Sequence, residues 1–227
     1  MAETMQAAMA EEDLEQFLAP APGVQCEHPE VQALARRIAR GAANDVQAAI
    51  RLFDFARDTV RYSVRIPFWE LEHYLALNTL ARGVGFCVQK SALLAALARA
   101  LGIPARLGFA DIRNHQIRGP LAEAVPDGMI YHHCFVEWFV GGRWLKATPS
   151  FDRGLTQELG WRLVEFDGRT DALLPATDLA GRPHVSYLAY HGWRLGVPLA
   201  EFMAQGQAKY GDQGFSGWRR MAEEAGY

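Results

Sequence analysis

The sequence predicts an α+β fold in which helices pack on one side of an antiparallel sheet. Helical patterns fill the chain up to Leu101, two strand patterns follow at Ala105–Ala110 and Met129–Val140, and Gly141-Gly142 turns the chain back into Arg143–Thr148. Helices first and a hairpin afterwards argue against alternating βα units around a parallel sheet.

Each element has its own warrant. Residues 1–24 are acidic, Ala-rich and then broken by Pro20 and Pro22, so they read as an arm with a short helix at Glu11–Leu18; residues 25–227 read as a single domain with its core at 45–152. Pro29 suits a first helical position, and Val31, Leu34, Ala35 and Ile38 then recur at helical spacing until Gly41. Asn44 caps a second helix, Asp45–Val60, whose Val46, Ala49, Ile50 and Phe53 form an apolar stripe. A third helix is predicted over Leu71–Leu80. Gly83 and Gly85 precede Cys87, which opens an Ala/Leu-rich helix ended by Gly102 and Pro104. Met129–Val140 is rich in Tyr, Phe, Val and Trp, as strands are. The tail from Val164 is less regular, with helices predicted at Leu199–Lys209 and Ser216–Ala225.

Composition narrows the function. A net charge of -3 without a sustained basic stripe argues against nucleic acid as a partner. No apolar run approaches the roughly 18–20 residues that span a bilayer, and the first residues lack a basic leader, so a cytoplasmic protein without a membrane partner is expected. Three cysteines, Cys26, Cys87 and Cys134, are too few and too odd a set for a disulfide framework.

Cys87 is the candidate nucleophile. A thiol reacts as its thiolate, and the unpaired amides and positive dipole of a helix N-terminus favour that anion. Packing is the competing reading, because cysteine is among the most buried residues. A base is available in Tyr131–Trp138, where His132 and His133 begin an otherwise apolar strand. Side chains alternate along a strand, so only one of the pair faces Cys87, and the pattern alone does not choose.

The run GFCVQKSALLAALARALGIPAR at 85–106 resembles the cysteine helix of the transglutaminase-like superfamily. His133-Cys-Phe-Val-Glu137, the Gly141-Gly142 turn and Trp144 resemble the strand, turn and return strand that follow it there. The resemblance covers Thr79–Asp152 closely. It implies a papain-like core with extra helices at both ends, Cys87 as nucleophile, His133 as base and no cofactor or catalytic metal. One position departs from the pattern. The family's acidic third member lies in Trp-x-x-x-Asp-Pro, whereas this chain has Thr148 in that place, within Trp144–Pro149. Asp152 is the nearest replacement, with Asp171 and Asp167 more remote.

The implied activity is acyl transfer on an amide bond of a peptide or protein substrate, through an acyl-thioester on Cys87 resolved by water or an amine. A non-catalytic peptide-binding module is the alternative that Thr148 encourages. A zinc protein built on Cys26, His28, His132 and Cys134 is a third, weakened because no C-x-x-C pair exists. Gly83-Val-Gly85 lacks the rest of a phosphate loop. Asp111, Asn114 and His115 are read as a solvated loop, Trp138 and Trp144 as a core or an aromatic wall, and Glu137 as a charge on the solvent face of its strand.

Overall fold

The structure, a computed structural model, describes residues 14–119, 122, 125 and 127–227. The first turns of the predicted N-terminal helix, up to residue 13, lie outside them. Helix α1 is Pro29–Ile38, begun by Pro29 and capped by His28, whose Nδ1 accepts from Glu30 N. Helix α2 is Asp45–Thr59, with Asn44 Oδ1 accepting from Gln47 N at 3.0 Å, so both predicted helix starts hold. A two-residue strand β1, Arg61–Tyr62, pairs in parallel with β2, Val84–Gly85.

The predicted helix over Leu71–Leu80 is broken. A 3-10 turn occupies Leu71–Tyr74 and α3 runs Ala76–Arg82, because Leu75 between them is extended. The buried Tyr74 hydroxyl, donating to Phe68 O at 2.6 Å, ties the turn to the preceding loop and stops the two pieces from merging.

Helix α4, Cys87–Ala100, is buried along its length, which is why its sequence is apolar all round instead of striped. It packs against β4 and β3 on one side and α1–α3 on the other. Its polar residues are consumed by tertiary bonds. Gln89 Nε2 donates to Pro67 O at 2.9 Å, Lys90 Nζ to Arg57 O at 2.8 Å and to Val60 O, and Ser91 Oγ to Cys134 O at 3.2 Å. Lys90 thus closes carbonyls that the end of α2 leaves unpaired. Burial pushes its ammonium down to about 7, so it sits near neutrality inside the core.

The sheet is antiparallel in the order β5-β4-β3-β6, with β3 Ala105–Asn114, β4 Met129–Val140, β5 Arg143–Ala147 and β6 Val185–Arg194. The β4–β5 turn uses Gly141 at φ 59° and Gly142 at φ 80°, the pair of positive angles that matches the twist of a hairpin. Trp138 is fully buried against Phe166, so it is core. Glu137 overturns the expected solvent position: it is buried, accepts from Arg106 Nε at 2.7 Å and from Tyr190 OH at 2.6 Å. Arg106 in turn lies between Trp144 and Trp193, at 4.1 and 4.7 Å from their ring centroids. Phe17 packs edge-on against the same two indoles, so the described part of the N-terminal segment lies on the sheet.

Two further helices complete the fold. Helix α5 is Arg153–Leu159, and α6 is Leu199–Glu224, which covers both predicted C-terminal helices and kinks at Gly211, where φ is 66°. No helix among the described residues is long and apolar enough to cross a membrane.

Candidate active site

Cys87 is the first residue of α4 and is 6% exposed. The N-cap, Phe86, has no side-chain acceptor to occupy the first-turn amides, so these remain turned toward the thiol. Burial raises Cys87 to about 11, while the backbone amides of Cys134, Val88 and Cys87 itself pull the other way. The amide of Cys134 brings β4 to the thiol, one residue from His133. Tyr187 is a neighbour of both, with its ring 6.0 Å from that of His133 and its phenol raised, after burial, by charge on Cys87.

His133 is 2% exposed and burial alone drives it down to about 3. Its ring has one hydrogen bond among the described residues, from Nε2 to Thr148 Oγ1 at 3.2 Å. Thr148 Oγ1 is 2.9 Å from Ser150 Oγ. For Nδ1 to accept a thiol proton, Nε2 must carry the hydrogen, so Nε2–H donates to Thr148 and Thr148 donates to Ser150. The contact orients the ring without any charge, and a hydroxyl there is compatible with the tautomer that leaves Nδ1 as acceptor. The resting pair is therefore a neutral thiol and a neutral imidazole.

Asp152, expected as the orienting acid, does something else. Its Oδ1 caps α5 by accepting from Leu155 N at 3.1 Å, and its Oδ2 accepts from Tyr62 N at 2.7 Å. Both oxygens are committed, and no carboxylate contributes to the shift of His133. Asp171 and Asp167 are likewise spent locally, on Lys146 N and on Arg169 and Thr170. Asp152→Ala is expected to lower stability by about 1–2 kcal/mol through the lost cap, and by more if Tyr62 N stays unpaired, while the ring of His133 titrates unchanged. Thermal unfolding and histidine NMR together check this; a shifted His133 titration would restore Asp152 to the site.

His132 lies in a different environment. It has φ 56°, left-handed for a non-glycine, at a bulge where Ala110 pairs with His133 but Ile112 pairs with Ile130. The extra residue removes strict alternation between the two histidines. Tyr131 N and His132 N, which leave the ladder there, donate to Tyr210 OH at 2.9 Å and Asp111 Oδ1 at 3.1 Å. The residues of the zinc alternative do not gather: His28 caps α1, Cys26 donates to Leu18 O, and Cys134 is fully buried beside Ser91. Asn114 is buried and Asp111 partly so, which places them in strand β3 instead of a solvated loop, while His115 is exposed.

Four tyrosines lie near enough to Cys87 to feel its charge. Tyr62, Tyr74 and Tyr210 join Tyr187 in being raised by burial and then by charge on Cys87. Beside Tyr62 a cavity of about 170 Å³ is lined by Val64, Arg118, Phe151 and Trp161. Sequence reasoning missed Tyr187 and Tyr210, since neither belongs to a local motif.

A helix-borne cysteine set against an antiparallel sheet with a strand histidine defines the class of papain-like thiol proteins. The chain belongs to the transglutaminase-like superfamily, whose family model matches residues 32–149. Among solved structures it is similar to a "putative cysteine protease" from Cytophaga hutchinsonii, at 20% identity and a TM-score of 0.47, over 80% of this chain and 54% of that one. It is also similar to the periplasmic domain of TgpA from Pseudomonas aeruginosa, at 20% identity and a TM-score of 0.40, over 59% of this chain and 45% of that one. This chain thus spans about half the length of each of those two. No curated protein matches it.

Proposed function

We propose that the chain is a thiol-dependent acyl-transfer enzyme acting on an amide bond of a peptide or protein. Cys87 attacks the carbonyl carbon and its proton passes to His133 Nδ1. The imidazolium then protonates the leaving amine as the C–N bond breaks. Water or a second amine attacks the resulting thioester, returning a proton to His133 and the thiol to Cys87. The observation that carries this reading is Cys87 at the first turn of the buried helix α4, where the backbone amides of Cys134, Val88 and Cys87 itself favour the thiolate against burial. Such donors stabilise a thiolate and the oxyanion of a tetrahedral intermediate alike. The aromatic cavity beside Tyr62 supports an apolar side chain on the substrate.

A second reading, a peptide-binding module without turnover, is favoured by Thr148 on His133 Nε2, since a hydroxyl leaves an imidazolium uncompensated. Thiol labelling separates the two. At near-neutral pH a small thiol-directed probe is expected to modify Cys87 ahead of Cys26 and Cys134, and His133→Ala is expected to slow that step at Cys87 alone. Equal, slow modification of all three cysteines would sink the catalytic reading.

A further inference from the structure

Asp111, His132 and His191 come from three different strands, β3, β4 and β6, yet each places a ligand-type atom within 4.8 Å of the other two. The rings of His132 and His191 are stacked, with centroids 4.8 Å apart and planes 9° off parallel. Neutral imidazole is the form that offers a lone pair to a metal.

Those lone pairs are not used up by the protein. His132 is 7% exposed, and its buried Nδ1 has no hydrogen-bond partner. His191 Nε2 lies 2.9 Å from Asp111 Oδ1 but is misaligned for a hydrogen bond. Glu201 on α6 stands at the edge, with Oε1 3.5 Å from His132 Nε2 and both oxygens held by Arg194. The backbone at His132 is left-handed, a strained conformation for a non-glycine that persists only where something requires it. That conformation brings the ring to His191 and Asp111.

We propose that Asp111, His132 and His191 bind a divalent ion of the zinc class. Two imidazoles and one carboxylate are a ligand set that zinc takes, with a fourth position left for water or for Glu201. Hard ions such as Mg²⁺ and Ca²⁺ prefer all-oxygen sites and fit poorly here. Tetrahedral ligands about 2 Å from zinc stand about 3.3 Å apart, so a small inward turn of the rings completes the site. Access is open through His191, whose side chain is 32% exposed. The site is separate from the thiol chemistry, and its binding is measurable without any activity.

The test uses the full chain stripped with a chelator and titrated calorimetrically with Zn²⁺, then with Co²⁺ as an optical probe. One ion per chain is expected, with Co²⁺ ligand-field bands and no thiolate charge-transfer band. His191→Ala and D111N are each expected to weaken binding by more than the roughly 10- to 100-fold that loss of an outer partner costs. D111N retains an amide oxygen for His132 N, so the bulge keeps its anchor. His73→Ala, in the separate group Glu70, Glu72 and His73, is the control and should change nothing. A thiolate band, an affinity unmoved by both His191→Ala and D111N, or a loss caused by His73→Ala would each overturn the proposal. If His191→Ala fails to fold, D111N alone decides between these outcomes.

Discussion

Thr148→Asp is expected to accelerate alkylation of Cys87 near pH 7 by roughly 10- to 1000-fold. Thr148 Oγ1 faces His133 Nε2 at 3.2 Å, so the new carboxylate would meet the ring on the side away from the sulfur. An opposite charge at that range favours the protonated imidazole by about 1–3 pKa units, more when both groups are buried. The imidazolium then holds the Cys87 thiolate, which the same move makes easier to form. His133 rises from about 3 and Cys87 falls from about 11, each toward the other. Thr148→Asn orients the ring without charge and should leave the rate near that of the parent. Rates of iodoacetamide labelling, followed by mass spectrometry alongside thermal unfolding, decide it. An unchanged rate in a folded T148D protein would mean that the ring does not communicate with the sulfur.

Acid is expected to unfold the protein well before its carboxylates are neutralised. Burial holds His133 down to about 3 and His184 down to about 4, against about 6.5 in an unfolded chain. His184 is fully buried between Phe151 and Trp161, and both of its nitrogens lack partners. Below pH 6.5 the unfolded chain takes up protons that the folded one refuses, so stability falls with falling pH and is flat in these two groups above about pH 7. His133 alone carries on the order of 4–5 kcal/mol once the pH reaches about 3, and roughly half of that by pH 4.5, a sizeable share of the roughly 5–15 kcal/mol of a domain. Urea midpoints at several values between pH 7 and pH 4.5 should decline steeply, and His133→Gln should flatten the decline. Parallel curves for parent and variant would show that His133 is not the group resisting protonation.

Much of this was legible in the sequence where the cause is local. Asn44 and Pro29 start their helices, Gly141-Gly142 makes the turn, and Cys87 opens α4 because the residues that decide these features are neighbours in the chain. Thr148 was legible too, since it occupies the acid's place in the family pattern and its hydroxyl does bond His133. Asp152 was misread because proximity in sequence does not tell a helix cap from an orienting acid; its oxygens go to Leu155 N and to Tyr62 N, ninety residues away. Strand β6 was missed because its burial does not alternate cleanly, several of its large apolar residues are exposed, and among the described residues it pairs with the distant β3. The bulge at His132 was illegible for a related reason: it depends on Asp111 and Tyr210, whose bonds to it cross the fold.

The walls around Cys87 also set a schedule for its exposure. Tyr187, Tyr210 and Trp218, which donates to Val64 O and packs against Phe86 next to Cys87 in the chain, all leave the ribosome long after the cysteine helix does. Until they arrive the sulfur is an ordinary exposed thiol, open to oxidation, adducts and chance disulfides. Shelter comes late in synthesis, so damage at Cys87 should concentrate in nascent and refolding chains and spare the finished protein.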